Sequence, residues 1–418
     1  MGFKDFEVIL DRADSYFDDS TIDWVQGRLY ISELHLERGN QLIEIIDIHS
    51  RNGSNRFPNA LFFEFDAPRT PVAITHFPKP SNRAVVDRSV LSWDAAGSET
   101  TYSTKHANSY IFYSDVNKIQ GLHMGDSGKW DVITYCEVGD DWDITEMASD
   151  WSDKDDYYIY FIMRRSKSEK MIGACGIDIL DGTGFLDVTH MEEISRVTSY
   201  KDPLGLTFTV DSLVWIDNAL FNGTSNTSKT RYVKAESFNV RNKKLHTINL
   251  PIPASSNISN TTSDRKIARL TASTVINEPH DMFQSSCQNY PKVHNQTALP
   301  KPCRRGVCTG EKCFCPSQLV KKQFEWGEEC VSVDDIEVQT NGSFNGLYGV
   351  DVEGDIFYAA YDKMNNIVDG PIAFGDKMPF RLGFITNIRY DFVDRSLIIN
   401  DRYEGTVCFH LLICLTHI

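Results

Sequence analysis

IFYSD at Ile111–Asp115 and LVWID at Leu213–Asp217 are two versions of one pattern, an apolar run with an aromatic ring at or beside its centre and a closing aspartate. Working outward, LYIS at Leu29–Ser32, DIFYAAYD around Phe357 and LIIND at Leu397–Asp401 repeat it in weaker form. TIDWVQGRLY, GLTFTVDSLVW and NIRYDFVDRSLII each place an apolar strand, a short turn and then the aromatic strand. A further strand reached through Asp, Gly and Ser follows in KIQGLHMGDSGKWDVI and GIDILDGTGFLDV, where the turn residues suit a tight reversal. Helical periodicity is scarce, so the chain is expected to be all-β.

Tyr30 and Phe112 are 82 residues apart, twice the 41 residues between Phe357 and Ile398. A repeat of about 40 residues suits one four-stranded blade of a β-propeller. On that spacing a unit is expected near residue 71, where TPVAITHFP is a poor match, and IYFIM near Tyr160 lacks the aspartate. One blade is therefore expected to be incomplete.

These runs resemble the YWTD repeat of the low-density lipoprotein receptor family, in which such a tetrapeptide opens the second strand of each blade. The resemblance implies a six-bladed propeller, with one unit incomplete or degenerate, over residues 1–285. It implies that Tyr30, Phe112 and Trp215 pack between neighbouring sheets, while Asp115, Asp217 and Asp401 accept hydrogen bonds that tie one blade to the next.

Six of the ten cysteines fall between Cys287 and Cys330, a local cluster of the kind that staples a small module, whereas Cys136 and Cys175 are expected to stand alone. Their order, C, C, C, C-x-C, C around CFCPS, resembles an EGF-like module over residues 286–332. The resemblance would pair Cys287 with Cys308, Cys303 with Cys313 and Cys315 with Cys330; six cysteines alone permit fifteen connectivities. No acidic cluster precedes Cys287, so no calcium is expected, and a zinc knuckle would need paired short spacings and a reducing compartment. Aromatic runs resume after Cys330, so residues 333–418 resemble the start of a second propeller, with Cys408 and Cys414 near its end.

Asn52, Asn222, Asn226, Asn257, Asn260, Asn295 and Asn341 each stand two residues before Ser or Thr. Seven acceptor sites for N-glycans suit the extracellular face of a cell or the lumen of an endosome. The opening MGFKDFEVILDRADSYFDD is acidic without an apolar core, so no leader is read in it, and CFHLLICLTHI is about half the length of a membrane span. Membrane attachment is expected only through a segment outside this sequence.

The net charge of −16 disfavours nucleic acid or an anionic bilayer as partner, and suits a cationic patch on a protein or lipoprotein ligand better. No P-loop, GxGxxG turn, HExxH helix or GxSxG elbow occurs, and Gly125-Asp126-Ser127-Gly128 reads as a turn rather than a protease motif. No cofactor, metal or enzyme activity is expected. The resemblance implies an endocytic receptor that binds ligand and releases it at endosomal pH, with His106, His123, His190 and His246 as candidate switches. A nidogen-like matrix binder or a co-receptor for Wnt-type ligands is the alternative.

Overall fold

Val, Ile, Tyr and Phe recur in short runs bounded by Gly, Asp and Asn, the composition of half-buried strands. The computed structural model describes residues 6–23, 28–47, 61–66, 72–78, 109–124, 130–150, 157–166, 169–178, 181–198, 202–209, 212–217, 231–252, 267–272, 285–287, 301–304, 307–309, 312–314, 319–324, 327–332, 345–351, 356–361, 367–373, 385–391, 396–401 and 406–411. Among them strands dominate, and the all-β expectation holds at that level.

The chain opens with β1 (Phe6–Asp11). A first sheet then comprises β2 (Ser15–Asp23), β3 (Arg28–His35), β4 (Asn40–Asp47) and β5 (Leu61–Asp66). A second follows, of β6 (Ile74–Pro78), β7 (Ser109–Asp115), β8 (Lys118–Met124) and β9 (Trp130–Glu137). The third has β10 (Asp143–Asp150), β11 (Tyr157–Ser166), β12 (Glu169–Asp178) and β13 (Thr183–Leu186), and leads into the helix α1 (Val188–Val197). The fourth has β14 (Pro203–Thr209), β15 (Ser212–Asp217), β16 (Arg231–Asn239) and β17 (Leu245–Ile252).

After β18 (Ile267–Ala272) come six strands of the cysteine-rich segment: β19 (Ser285–Cys287), β20 (Lys301–Arg304), β21 (Val307–Thr309), β22 (Lys312–Phe314), β23 (Leu319–Phe324) and β24 (Gly327–Ser332). Next are β25 (Asn345–Asp351), β26 (Ile356–Tyr361) and β27 (Ile367–Ala373), then β28 (Ile385–Asp391), β29 (Ser396–Asp401) and β30 (Thr406–Leu411). β18 pairs with β25, so the fifth sheet is β18-β25-β26-β27 and the cysteine-rich strands are an insertion between its first two strands. β1 pairs with β30, opposing Phe6 to His410 and Asp11 to Thr406, and completes a sixth sheet of order β1-β30-β29-β28.

Two expectations change here. Residues 333–418 hydrogen-bond into the same sheets as residues 1–285 instead of beginning a separate unit, and the cysteine-rich segment 286–332 interrupts a sheet instead of following the last one. The 82-residue step from Tyr30 to Phe112 is also a single step, because β3 and β7 are the second strands of consecutive sheets. TPVAITHFP carries β6, the partner of β7, and residues 79–108 lengthen that one connection. Each of the six sheets has four strands.

The first strand of each sheet lies beside that of the next: β2 by β6, β6 by β10, β10 by β14, β14 by β18, β18 by β28, and β28 by β2. Apolar side chains fill the spaces between sheets. Tyr30, Ile43 and Ile45 pack with Val72, Ile74, Ile111 and Tyr113 of the second sheet, and Phe77 meets the rings of Phe112 and Tyr157 edge-on. On β12, Gly173 lies opposite Phe161 of β11, whose ring is fully buried and occupies the space a Cβ would need. Gly173→Ala is expected to destabilise the protein by about 1–3 kcal/mol, measured by denaturant unfolding, because the ring has no space to retreat into.

Candidate functional site

The first strands of the sheets are unusually polar where they converge. Asp18, Asp19, Glu146, Leu206, Asn387 and Arg389, from four of the sheets, line a cavity of about 30 Å³. That is room for about one or two waters. Asp18 is buried there and Asp19 and Glu146 are half-buried, and backbone N–H groups of neighbouring strands bind all three. Asp19 Oδ2 accepts from Ile74 N at 2.9 Å, Asp18 Oδ2 from Gln41 Nε2 at 3.1 Å and Val72 N at 3.3 Å, and Glu146 Oε2 from Leu206 N at 2.8 Å.

The seam between the sixth and first sheets is tied most heavily. Arg389 Nε donates to Ser20 O at 2.7 Å while its Nη2 reaches Asp19 Oδ1 at 3.2 Å. Asn387 Nδ2 donates to Asp19 Oδ1 and to Ser20 O, and Thr386 Oγ1 donates to Phe17 O at 2.6 Å. Asp19 thus joins β28, β2 and β6 through one carboxylate. Asp19→Ala is expected to cost about 1–3 kcal/mol of stability in calorimetry or denaturant unfolding, because Arg389 and Ile74 N would lose their acceptor in a half-buried site.

A second polar group surrounds α1. Asp187 caps the helix, accepting from His190 N at 2.9 Å, and also accepts from Tyr158 Oη at 3.1 Å. His190 Nε2 is 3.0 Å from Tyr160 Oη, and Lys243 Nζ is 3.1 Å from Nδ1 and 2.9 Å from a Glu193 oxygen. A cationic ammonium can only donate, so Nδ1 accepts and the neutral ring carries its proton on Nε2. Burial, then the Lys243 charge, hold His190 below its ordinary pKa, against the pull of Asp187 and Glu193. Burial likewise holds the Tyr160 phenol well above its usual range.

The predicted residues fall in different places. Tyr30, Phe112 and Trp215 are buried in second strands, as are Asp217 and Asp401, whereas Asp115 is partly exposed. Asp217 Oδ1 accepts from Asp202 N at 3.0 Å, next to β14 of its own sheet, so that bond does not tie one sheet to the next as expected. The inter-sheet carboxylates are Asp18, Asp19 and Glu146 on first strands, which sequence reasoning missed; the paired acids in YFDDSTID were the available signal. Of the four histidines, His190 is embedded in the cluster above, His246 is exposed, His123 lies on β8 with its side chain outside the described residues, and His106 lies outside them altogether.

Cys136 and Cys175 do not stand alone: they form a disulfide between β9 and β12, with Cα atoms 6.2 Å apart, linking the second and third sheets. Cys287, Cys303, Cys308, Cys313 and Cys330 lie on β19, β20, β21, β22 and β24, and Cys308 opposes Cys313 in register; their side chains, and all of Cys315, are outside the described residues. So are Asn52, Asn222, Asn226, Asn257, Asn260, Asn295 and Asn341 and the Gly125–Gly128 turn. Among the described residues there is no group of metal-ligating side chains and no helix long and apolar enough to cross a membrane.

No family model matches the chain, and no curated protein matches it. Among solved structures, one from Bacteroides thetaiotaomicron described as a "Putative phosphatase" matches at a TM-score of 0.39 and 10% identity, covering 95% of this chain and 70% of that one. The expectation of no enzyme activity, drawn from absent motifs, is not kept, because missing sequence motifs do not exclude a catalytic site. Likeness at this level brings no activity, substrate or site residue to this chain.

For His190 the sign of the pH effect follows from its direction. Its folded pKa lies below the unfolded value of 6.5, so the unfolded chain binds more protons and stability is lost as pH falls through 6.5. Amide exchange of α1, corrected for intrinsic rates, is expected to quicken between pH 7 and pH 5.5, and Lys243→Met to lessen the change by removing one cause of the lowered pKa.

Proposed function

We propose that the chain is a ligand-binding part of an extracellular receptor, built as a six-bladed propeller of the kind found in the low-density lipoprotein receptor family, with a cysteine-rich module inserted in its fifth blade. The observation that carries this reading is the circuit of first strands from β2 through β6, β10, β14, β18 and β28 back to β2, with β1 completing the last sheet. Six four-stranded sheets sharing one set of inner strands are the blades of such a fold. The Cys136–Cys175 bridge between two sheets supports an oxidising compartment, as do the seven glycan acceptor sites.

The described cavity at the convergence of the first strands has room for only about one or two waters, which favours recognition on the outer faces and loops. A net charge of −16 steers basic protein surfaces toward such a face. The position of the cysteine-rich segment departs from the resemblance, in which the module follows a finished propeller. The favoured partner is a protein or lipoprotein with a cationic patch, bound at neutral pH and released on acidification.

Expression behind a secretory leader in animal cells tests the compartment and the ligand class together. The secreted chain is expected to shrink on treatment with an N-glycan-cleaving amidase, to contain Cys136 and Cys175 as a disulfide, and to bind a basic protein ligand at least tenfold more weakly at pH 5.5 than at pH 7.4. An unglycosylated protein with free thiols at both cysteines would defeat the extracellular reading; equal affinity at both pH values would defeat acid release alone.

A further inference from the structure

Arg12 lies in the turn between β1 and β2, where it holds two carboxylates at once. Its Nη1 donates to Glu33 Oε2 at 2.7 Å and its Nη2 to Glu44 Oε1 at 3.0 Å. Both glutamates are buried, Glu33 with a side-chain exposure of 0% and Glu44 of 1%. In the ladder of β3 and β4, Glu33 opposes Leu42 and Glu44 opposes Ile31, so both rise from one face of the first sheet. That face carries Leu29, Ile31 and Ile46, which share a core with Leu10 of β1 and Ile398 of β29; the other face, with Tyr30 and Ile43, turns to the second sheet. The two glutamates therefore sit at the seam between the first sheet and the sixth, the sheet in which β1 pairs with β30.

One guanidinium balances only one of the two negative charges. The remaining oxygens, Glu33 Oε1 and Glu44 Oε2, are buried with no donor in reach, while the adjacent nitrogens of one guanidinium draw the two carboxyls together. Two ionised carboxylates can only accept, so a bond between them requires a proton. We infer that Glu33 and Glu44 hold one proton between them, and that this shared proton locks the seam across which β1 and the sixth sheet meet the first.

The charged groups acting on Glu44 are Arg12 from the β1–β2 turn and Glu33 from β3. His35 is the next titratable residue on the same face of β3, and it pairs with Asp14 of the turn at 3.2 Å. From the sixth sheet, Arg389 lies opposite Ile398 on the face that meets the first sheet and pairs with Asp19 of β2 at 3.2 Å, beside the apolar Leu10 and Ile398. Burial raises Glu44 to about 7, Arg12 opposes the rise and Glu33 adds to it. A carboxyl raised in the folded state contributes stability that is complete below its unfolded value, near 4.5, and is lost as pH rises through about 7. This is opposite in sign to His190.

The test uses the full chain with Glu44→Gln, which keeps the shape and places a donor where the proton would be. The native protein is expected to lose about tenfold or more in its folding constant between pH 5.5 and pH 7.5 through this pair, and Glu44→Gln to lack that loss while keeping the opposite slope of His190. Amide exchange in β1 and β30, corrected for intrinsic rates, should quicken over the same interval in the native chain alone. Parallel pH profiles for the two proteins would overturn the inference. Should the variant fail to fold, carbon-13 spectra of the native chain labelled at glutamate carboxyls decide the matter: a glutamate titrating between pH 6 and pH 8 upholds it, and none in that range rejects it.

Discussion

A strand at the edge of a sheet has backbone N–H and C=O groups facing away from its only ladder partner, and where water is scarce those groups must be met by something. Here side chains of the neighbouring first strand meet them. Asp19 takes Ile74 N, Glu146 takes Leu206 N, Thr386 gives to Phe17 O, and Asn387 and Arg389 give to Ser20 O. The spacing between sheets is set where these bonds form. The apolar cores farther out, around Tyr30 and around Phe77, Phe112 and Tyr157, then pack in spaces whose width has already been decided.

Polar groups at the two ends of that arrangement respond to acid in opposite ways. The His190 cluster, between α1 and the turn that bears Lys243, is held together by a neutral imidazole, whereas the Arg12, Glu33 and Glu44 group gains from a bound proton. A molecule with both loses stability at one seam as pH falls and at the other as pH rises. Changes in pH then shift stability from one seam to another instead of lowering it everywhere.

The second strands were legible because their rings must fill space between sheets, and aromatic side chains in period-two runs announce that role: Tyr30, Phe112 and Trp215 are all buried. Strand number was harder to read, because residues 79–108 stretch one hairpin until a single step imitates two. Cys136 and Cys175 looked solitary since a separation of 39 residues says nothing about two sheets turning their strands toward each other. The polar inner strands were missed for a physical reason as well. A buried carboxylate that accepts backbone N–H groups has the same letters in sequence as a solvated one, and only the position of β6 beside β2 distinguishes Asp19 from a surface aspartate.

The pairing of β1 with β30 has a consequence for how the molecule is made. Phe6 finds its partner at His410, so β1 leaves a ribosome 404 residues before the strand it pairs with. At about 5–20 residues per second that delay is on the order of 20–80 s, during which the sixth sheet is unfinished and its edges are open to other chains. Contacts this distant in sequence form slowly even once both partners exist. Folding in the cell is thus expected to depend on whatever shields that edge until β30 has been made.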